Sequence, residues 1–372
     1  MKNKAKQLLG QVALISFVST AAMAQDVPPL ATLGPAPIPA DNPMTPEKIA
    51  LGEKLFWDGR LSGNGAMPCS ACHLPDAGWG TATPISFGYP GTQHWRNSQT
   101  IVNSAYYNKL FWDGASRSLE LQAKAAAGGG VAGNGDGSMM EMRLRFVPEY
   151  VAAFKEVFGT VPHISAAWMA IAAYERTIVT DATKVPFDRF LAGDETAMSD
   201  EAKRGMELFN GKANCISCHN GALVSDQKFY NIGVPAAAEF EEDPLYQITL
   251  RWELYQKGGR HEDYKTGADD LGLYHQTKRP DDKHKFRTPS LRELRWTEPF
   301  MHNGGLETLA DVVAFYNAGG GEGQTAGLTP LGLSSEEEAD LVAFLEALSM
   351  DEPLLLDEPE LPETNTWAEF AK

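Results

Sequence analysis

Wherever apolar residues of this chain recur with a visible period, the spacing is helical; strand-type alternation is sparse. Thr45-Pro46-Glu47 is a helix start, with Thr as N-cap, Pro at the first helical position and an acid in the first turn. Leu51-Gly52-x-x-Leu55-Phe56 then carries the apolar stripe, and Arg204-Gly205-x-x-Leu208-Phe209 repeats that pattern later. Another long helix includes Trp168 to Thr177. Near the end, Ser334-x-x-Glu337 reads as a capping box ahead of Leu341-Val342-x-Phe344-Leu345-x-x-Leu348, the amphipathic helix that closes the pattern. Between these elements, residues 25–44 are proline-rich and predict an extended lead-in. Residues 235–282 mix charges with aromatics without a period, which predicts a long irregular excursion that could face a partner. Residues 351–372 form an acidic, proline-containing tail, expected to be mobile.

The N-terminus has the layout of a secretory signal. Lys2, Lys4 and Lys6 precede an apolar run from Leu8 to Ala22, and Ala22-Met23-Ala24 offers a small-x-small cleavage site, predicting Gln25 as the mature terminus. The run is too short to span a bilayer comfortably, and no later segment approaches about 18 uninterrupted apolar residues. The formal charge of −17 would become −20 once residues 1–24, with three lysines and no acid, are removed. Such a chain has no basic footprint for nucleic acid, and its field can steer a basic donor or substrate protein. The remaining length suits two domains.

The chemistry lies in two pentads, Cys69-Ser70-Ala71-Cys72-His73 and Cys215-Ile216-Ser217-Cys218-His219. Cys-x-x-Cys-His is the attachment pattern of c-type haem: two thiols reach the two vinyl groups of one porphyrin edge, and the adjoining His ligates the iron. A single Cys-x-x-Cys also fits a redox dithiol or half a zinc site. Two pentads, each with its own His and together using all four cysteines, predict two covalent haem c groups and no disulfide. Each pentad follows a glycine-containing helix, a weak internal repeat. The expected fold is mainly α, with two tandem cytochrome c-like helical domains, residues 45–193 and 194–350, each carrying one haem. The candidate boundary is Gly193 to Ser199. Covalent haem attachment in bacteria takes place outside the cytoplasmic membrane, so haem and export signal agree on the periplasm.

From about Pro39 to Leu348 the chain resembles the bacterial dihaem cytochrome c peroxidases, and most closely their MauG-like branch, which includes the MbnH-type enzymes. The most specific pieces are Arg96-Asn97, Phe111-Trp112-Asp113-Gly114, Gln122-Ala123 and Thr288-Pro289-Ser290-Leu291-Arg292. Thr297-x-Pro299-Phe300-Met301-His302-Asn303-Gly304 and Thr308-Leu309-x-x-Val312-Val313-x-Phe315-Tyr316 complete them. The resemblance implies H₂O₂ as substrate, His73 as proximal ligand of a peroxide-reactive first haem, and His219 as one ligand of an electron-transferring second haem. Its other ligand falls on Tyr316, where conventional peroxidases place Met and the MauG-like branch places Tyr; the alternative is Met301, with Tyr316 a core aromatic. Phenolate is an anionic hard donor that stabilises higher iron charge, whereas a thioether raises the potential. The resemblance further implies Trp112 as the inter-haem electron carrier and Asn97, Thr297 and Pro299 as an inter-haem Ca²⁺ site of the oxygen-only kind.

The distal pocket departs from the family. Gln122 matches the distal Gln, but the usual Pro is Ala126 and the acid–base Glu position falls on Ala132. The glycine-rich run Gly128 to Gly137 is expected to be flexible enough to deliver a carboxylate, Glu141 before Asp136, to do the proton transfer that peroxide cleavage needs. The alternative is a surface loop without a catalytic acid. Tyr89 stands where conventional peroxidases carry a blocking His, which implies a five-coordinate first haem at rest. His94 could substitute as a ligand or be a surface His. Ala213 replaces a Trp that serves MauG on the route to its protein substrate. The leading reading is a periplasmic oxidoreductase that uses H₂O₂ to oxidise a partner, expected to be a protein side chain. The runner-up is a cytochrome c peroxidase fed by a small cytochrome or cupredoxin. The third is a non-enzymatic electron-transfer or redox-sensing cytochrome.

Overall fold

A computed structural model describes residues 27–90, 92–237, 239–258 and 261–364. The predicted signal segment 1–24 and the last residues of the tail lie outside the described residues. The chain is mainly α and forms two tandem cytochrome c-like domains. In the first, α1 (Pro46–Trp57) leads to a 3₁₀ turn at Cys69–Ala71 and then to α2 (Leu119–Gly128). α3 (Gly137–Arg145), α4 (Pro148–Phe158) and α5 (Ile164–Glu175) complete it. The second begins earlier than the expected boundary at Gly193 to Ser199, because Val185 and Phe187 pack in its core: α6 (Pro186–Leu191) and α7 (Asp200–Asn210) precede a 3₁₀ turn at Cys215–Ser217.

The excursion follows, and it is not irregular: it holds α8 (Glu239–Glu242), α9 (Pro244–Gln256), α10 (His261–Thr266) and α11 (Tyr274–Thr277). α9 has the start signal that its composition hid, Asp243 as N-cap and Pro244 at N1. Its inner face buries Tyr246, Leu250 and Leu254 against Ile85 and Trp95 of the first domain. The chain then reaches α12 (Leu309–Asn317) and α13 (Ser335–Ala347), the latter with the capping box of Ser334 and Glu337 formed as expected. Among the described residues the only sheet pairs β1 (Phe229–Tyr230) with β2 (Phe286–Arg287), antiparallel.

Both cores are built on one device. α1 crosses α5 at Gly52, which lies so close to the Ala170 carbonyl that a Cβ would fall inside its van der Waals shell; Tyr174 packs beside it. α7 crosses α13 at Gly205 against the Asp340 carbonyl in the same way, with Phe344 in the place of Tyr174. Phe56 and Phe209, fully buried, fill the equivalent space under each crossing. The small residue in each stripe is therefore what allows the helices to pack backbone to backbone.

A longer repeat joins the haem turns to α2 and α12 at a constant offset of 190 residues, Asn103 matching Glu293 and Ala126 matching Tyr316. Asn103 and Glu293 both have left-handed backbone (φ 63° and 66°), as do Phe111 and Met301 (64° and 75°). The Leu110–Ser116 bridge matches Phe300–Leu306, and the N-caps Ser118 and Thr308 match. The two copies meet through reciprocal main-chain hydrogen bonds: Asn97 N–H donates to His302 O and Arg287 N–H to Trp112 O, both 2.8 Å. Asn97 and Arg287 are themselves a 190-residue pair.

The described part of the tail is not loose either. Leu354 and Leu356 pack on the first core, and Trp79 Nε1 donates to Leu354 O (2.7 Å). Arg60 Nη2 donates to Pro362 O (2.9 Å). Residues 27–44 of the lead-in hold no helix or strand, and Leu30 packs against the second core while Arg292 Nη2 donates to Ala31 O (2.9 Å).

Candidate haem sites and the path between them

Each pentad folds as one 3₁₀ turn. The N–H groups of Cys72 and His73 both donate to Cys69 O (3.2 Å each), and those of Cys218 and His219 to Cys215 O (3.2 and 2.9 Å). This puts two thiols and an imidazole on one short arc. His73 Nδ1 then lies 3.1 Å from Trp79 O, and His219 Nδ1 3.2 Å from Val224 O. Donation from Nδ1 to a carbonyl fixes the tautomer and leaves Nε2 as the free lone pair, the usual support of a metal-ligating His. Desolvation lowers both imidazole pKa values, that of His219 to about 4, so both rings are neutral and able to ligate.

The first thiol of each pentad is unlike that of a redox dithiol. Burial pushes Cys69 and Cys215 up to about 12, whereas a redox dithiol depends on a depressed pKa. All four cysteines are free, and among the described residues no cluster of His, Cys, Asp and Glu could hold a metal ion. Paired, partly exposed thiols on one arc with an imidazole that presents Nε2 fit covalent haem at both pentads.

Tyr316 sits on α12 near the second pentad: burial first, and then the charges of Cys215 and Cys218, push its pKa up. Met301 occupies the left-handed turn before α12, in the position that Phe111 fills in the first domain. Trp112 lies at the junction of the copies, its Nε1 donating to Asn97 O (3.0 Å). Its ring meets that of His302 edge to face at 6.4 Å, and His302 stacks on Phe286 at 3.6 Å. His302 is the 190-residue counterpart of Trp112, and burial lowers its pKa to about 4. A cavity of about 610 Å³ beside this pair is lined by Trp95, Phe240, Phe286, His302 and Phe315 under the excursion. Asn97 Nδ2 donates to Pro84 O (3.2 Å), and the Thr297 methyl packs at Gly78; Pro299 follows in the same loop.

Two quoted motifs acquire a physical role here. Arg96 Nη1 pairs with Asp113 (3.1 Å), while Nε and Nη2 clasp Asp270 of the excursion (2.6 and 2.9 Å). The guanidinium is held over Trp95 at 3.8 Å and faces Phe286 at 5.7 Å. Arg96-Asn97 and Phe111-Trp112-Asp113-Gly114 thus lock the excursion to the junction. Sequence reasoning missed Asp270 and His302; the 190-residue offset was the available signal for His302.

The distal expectations are corrected in part. Gln122 is on α2, half-buried and one turn before Ala126. The glycine-rich loop is not free: Gly133 N–H donates to Ala126 O (3.0 Å), Gly63 N–H to Gly133 O (2.7 Å) and Tyr89 N–H to Ala132 O (2.6 Å). Glu141 is tied elsewhere, accepting from Arg145 Nη2 (2.6 Å) and from the N–H of Ile164 at the start of α5 (3.1 Å). A helix N-terminus with its exposed N–H groups is a strong competitor for a carboxylate. Asp136 is likewise used, as N-cap of α3. His94 is half-buried, desolvation pulls its pKa down to about 4, and it lies close enough to His73 to feel its charge. Its Nδ1 is committed to the Arg96 backbone (3.0 Å to O). The loop bearing it packs on the first pentad, where the Cys72 thiol meets Phe87 O (3.4 Å) and the hydroxyls of Ser86 and Ser98. Ala213 is buried in the second core.

Comparison with known proteins agrees with this construction. A family model for di-haem cytochrome c peroxidases matches residues 46–196. Cytochrome-c peroxidase IdrP1 of Denitromonas iodatirespirans is 63% identical over 357 residues, spanning 95% of each chain. Methylamine utilization protein MauG of Methylorubrum extorquens is 34% identical over 330 residues, 88% of this chain and 84% of that one. A solved MauG-like protein associated with microbial copper homeostasis superposes with a TM-score of 0.70 at 28% identity, over 86% of this chain and 94% of that one. With paired pentads, a shared junction and relatives of this closeness, the chain belongs to the di-haem cytochrome c peroxidase family and is a haem-dependent peroxidase with two haem c groups.

Proposed function

We propose that this peroxidase reduces H₂O₂ at the haem of the first pentad, in the bacterial periplasm, with electrons that a small cytochrome or cupredoxin delivers through the second haem. The observation that supports the first haem as the peroxide site is the asymmetry of two sequence-matched helices: α12 carries Tyr316 beside the second pentad, whereas α2 carries Ala126 at the matching position, with Gln122 one turn earlier. Two named cytochrome-c peroxidases at 63% and 60% identity support an external electron donor over side-chain oxidation.

When bound, the first haem supplies an iron that takes up peroxide and holds oxidising equivalents, for the overall conversion of H₂O₂, two protons and two electrons to two waters. His73 donates from Nδ1 to Trp79 O and so presents Nε2 in one orientation. Gln122 orients peroxide through its amide, which is too weak an acid and base to carry a proton. His94 moves that proton at Nε2, since its Nδ1 is occupied by the Arg96 backbone and its ring is neutral. Trp112 passes electrons across the junction, held by Asn97 O. Asn97, Thr297 and Pro299 are the residues that would hold a Ca²⁺ ion at the junction, where it would supply structural bracing. The net charge of −17 favours a basic donor.

Oxidation of a partner's side chain is the second reading, favoured by Tyr316, whose phenolate suits a shared oxidising equivalent better than electron uptake. The deciding experiment adds H₂O₂ to the holoprotein with reduced cytochrome c or cupredoxin. Sustained donor oxidation is expected. A peroxide-oxidised state that persists in the presence of donor would replace this reading with the second.

A further inference from the structure

α2 and α12 are the same element in two copies of one fold. Each begins at a capped hydroxyl residue, Ser118 accepting from Leu121 N–H and Thr308 from Asp311 N–H. Each follows a bridge closed by one main-chain pair, Leu110 N–H to Ser116 O (2.8 Å) and Phe300 N–H to Leu306 O (2.7 Å). Leu119 and Leu309 are buried at the first position of each helix, and Ala123 and Val313 at the fifth. No insertion interrupts the 190-residue offset from Asn103 to Ala126, so the eighth residue of α12 is Tyr316 and the eighth residue of α2 is Ala126.

We propose that α2 is the ligand-bearing helix of the first domain with its ligand deleted, so that Ala126 leaves the first iron without a ligand from this helix and forms part of the space for peroxide. The methyl group of Ala126 lacks a donor atom and is far smaller than the phenol ring at the matching position of the second domain. The following loop is tied to α2 through main chain, Gly133 N–H donating to Ala126 O (3.0 Å) and Gly135 N–H to Ala127 O (2.8 Å). Gln122, one turn earlier, is left as the polar side chain on the same face of the helix; its counterpart Val312 has no polar group. The identity of one side chain on each of two matched helices therefore decides which haem binds substrate and which only transfers electrons. The inference rests on the first haem being the peroxide-reactive one.

The test is the resting ferric spectrum of the holoprotein and its cyanide titration, with haem content and far-ultraviolet circular dichroism confirming a loaded, folded protein. Ala126→Tyr and Ala126→His should convert the high-spin iron to low spin and lose cyanide binding, while Ala126→Val, which adds bulk without a donor, should stay high spin. Tyr316→Ala should do the reverse and create a second high-spin, cyanide-binding iron. If both donor variants load haem and keep the parent's spin state and cyanide affinity, position 126 does not face the iron and the proposal fails. A parent protein with no high-spin iron would overturn the proposal as well, whereas a first haem that does not react with peroxide even after reduction would overturn the functional reading on which it rests.

Discussion

Arg96 is the most consequential single side chain at the junction, and its removal has a calculable signature. Its guanidinium serves two carboxylates at once, and all three side chains are 8% exposed or less. Removing one member of a buried pair costs about 3–5 kcal/mol, because the partner charge stays behind unpaired. Arg96→Met strands two such charges, so a loss at the upper end of that range is expected, a large part of the roughly 5–15 kcal/mol that holds a domain folded. The pH dependence carries the sharper test. Burial works to raise the pKa of both Asp113 and Asp270, and Arg96 overrides it, leaving both below the ordinary value of 3.8. In the parent this stabilisation is present above that value and is lost as pH falls through the depressed folded-state values. In Arg96→Met burial is opposed only by Lys257 and Gln276 at Asp113 and by His275, His302 and the Gly272 N–H at Asp270, so both carboxyls titrate higher than in the parent and the deficit shrinks as pH falls toward the carboxylate range. Urea unfolding of both holoproteins between neutral and mildly acid pH measures this difference. Asp270 lies in the excursion, so limited proteolysis at residues 235–285 should accelerate first, and adding Asp270→Leu should restore part of the loss. A deficit below about 1 kcal/mol at neutral pH, the size of a surface pair, or a deficit that does not change with pH, would refute the reasoning.

Three further outcomes are expected. Gly52→Ala and Gly205→Ala add a Cβ against a backbone carbonyl at the two helix crossings; each should destabilise by about 1–3 kcal/mol despite the gain in helix propensity, as read by denaturant midpoint. Glu141→Gln should leave the rate of peroxide reaction unchanged and weaken the protein by about 0.5–1 kcal/mol through the start of α5, so a slowed reaction in stopped-flow would reinstate it as the distal acid. His94→Ala should slow the peroxide reaction by about 10²-fold or more with haem content unchanged; parent-like rates would remove His94 from proton transfer.

What could be read from the sequence was what depends on neighbours in the chain. The pentads are self-contained, since two thiols and an imidazole within five residues already fix the attachment chemistry. Thr45 and Ser334 cap their helices through N–H groups three residues away, so those starts were visible. Glu141 was misread because its partner, the N–H of Ile164, is distant in sequence and comes into reach only when α3 packs beside α5. The glycine run looked free because its partners, Gly63 and Tyr89, come from loops far earlier in the chain. α9 was hidden because its outer face is also apolar, with Ile248, Trp252 and Tyr255 exposed, so no period separated it from the buried face, although Asp243-Pro244 announced it. The tail's acidity concealed two leucines that dock on a core the composition alone could not locate.

The two ends of the described chain change places. Residues before α1 reach the second domain through Leu30 and Ala31, and residues after α13 return to the first through Leu354, Leu356 and Pro362. Neither half is therefore complete as synthesised. The first domain lacks its last packing residues and the partner of Trp79 until the C-terminal end of the chain has emerged, and the second depends on a segment made before either haem site. A gene cut at the boundary between the halves would yield two fragments, each carrying the other's fastening. They should regain stability when combined, and the final locking of the first haem's surroundings becomes an event late in maturation.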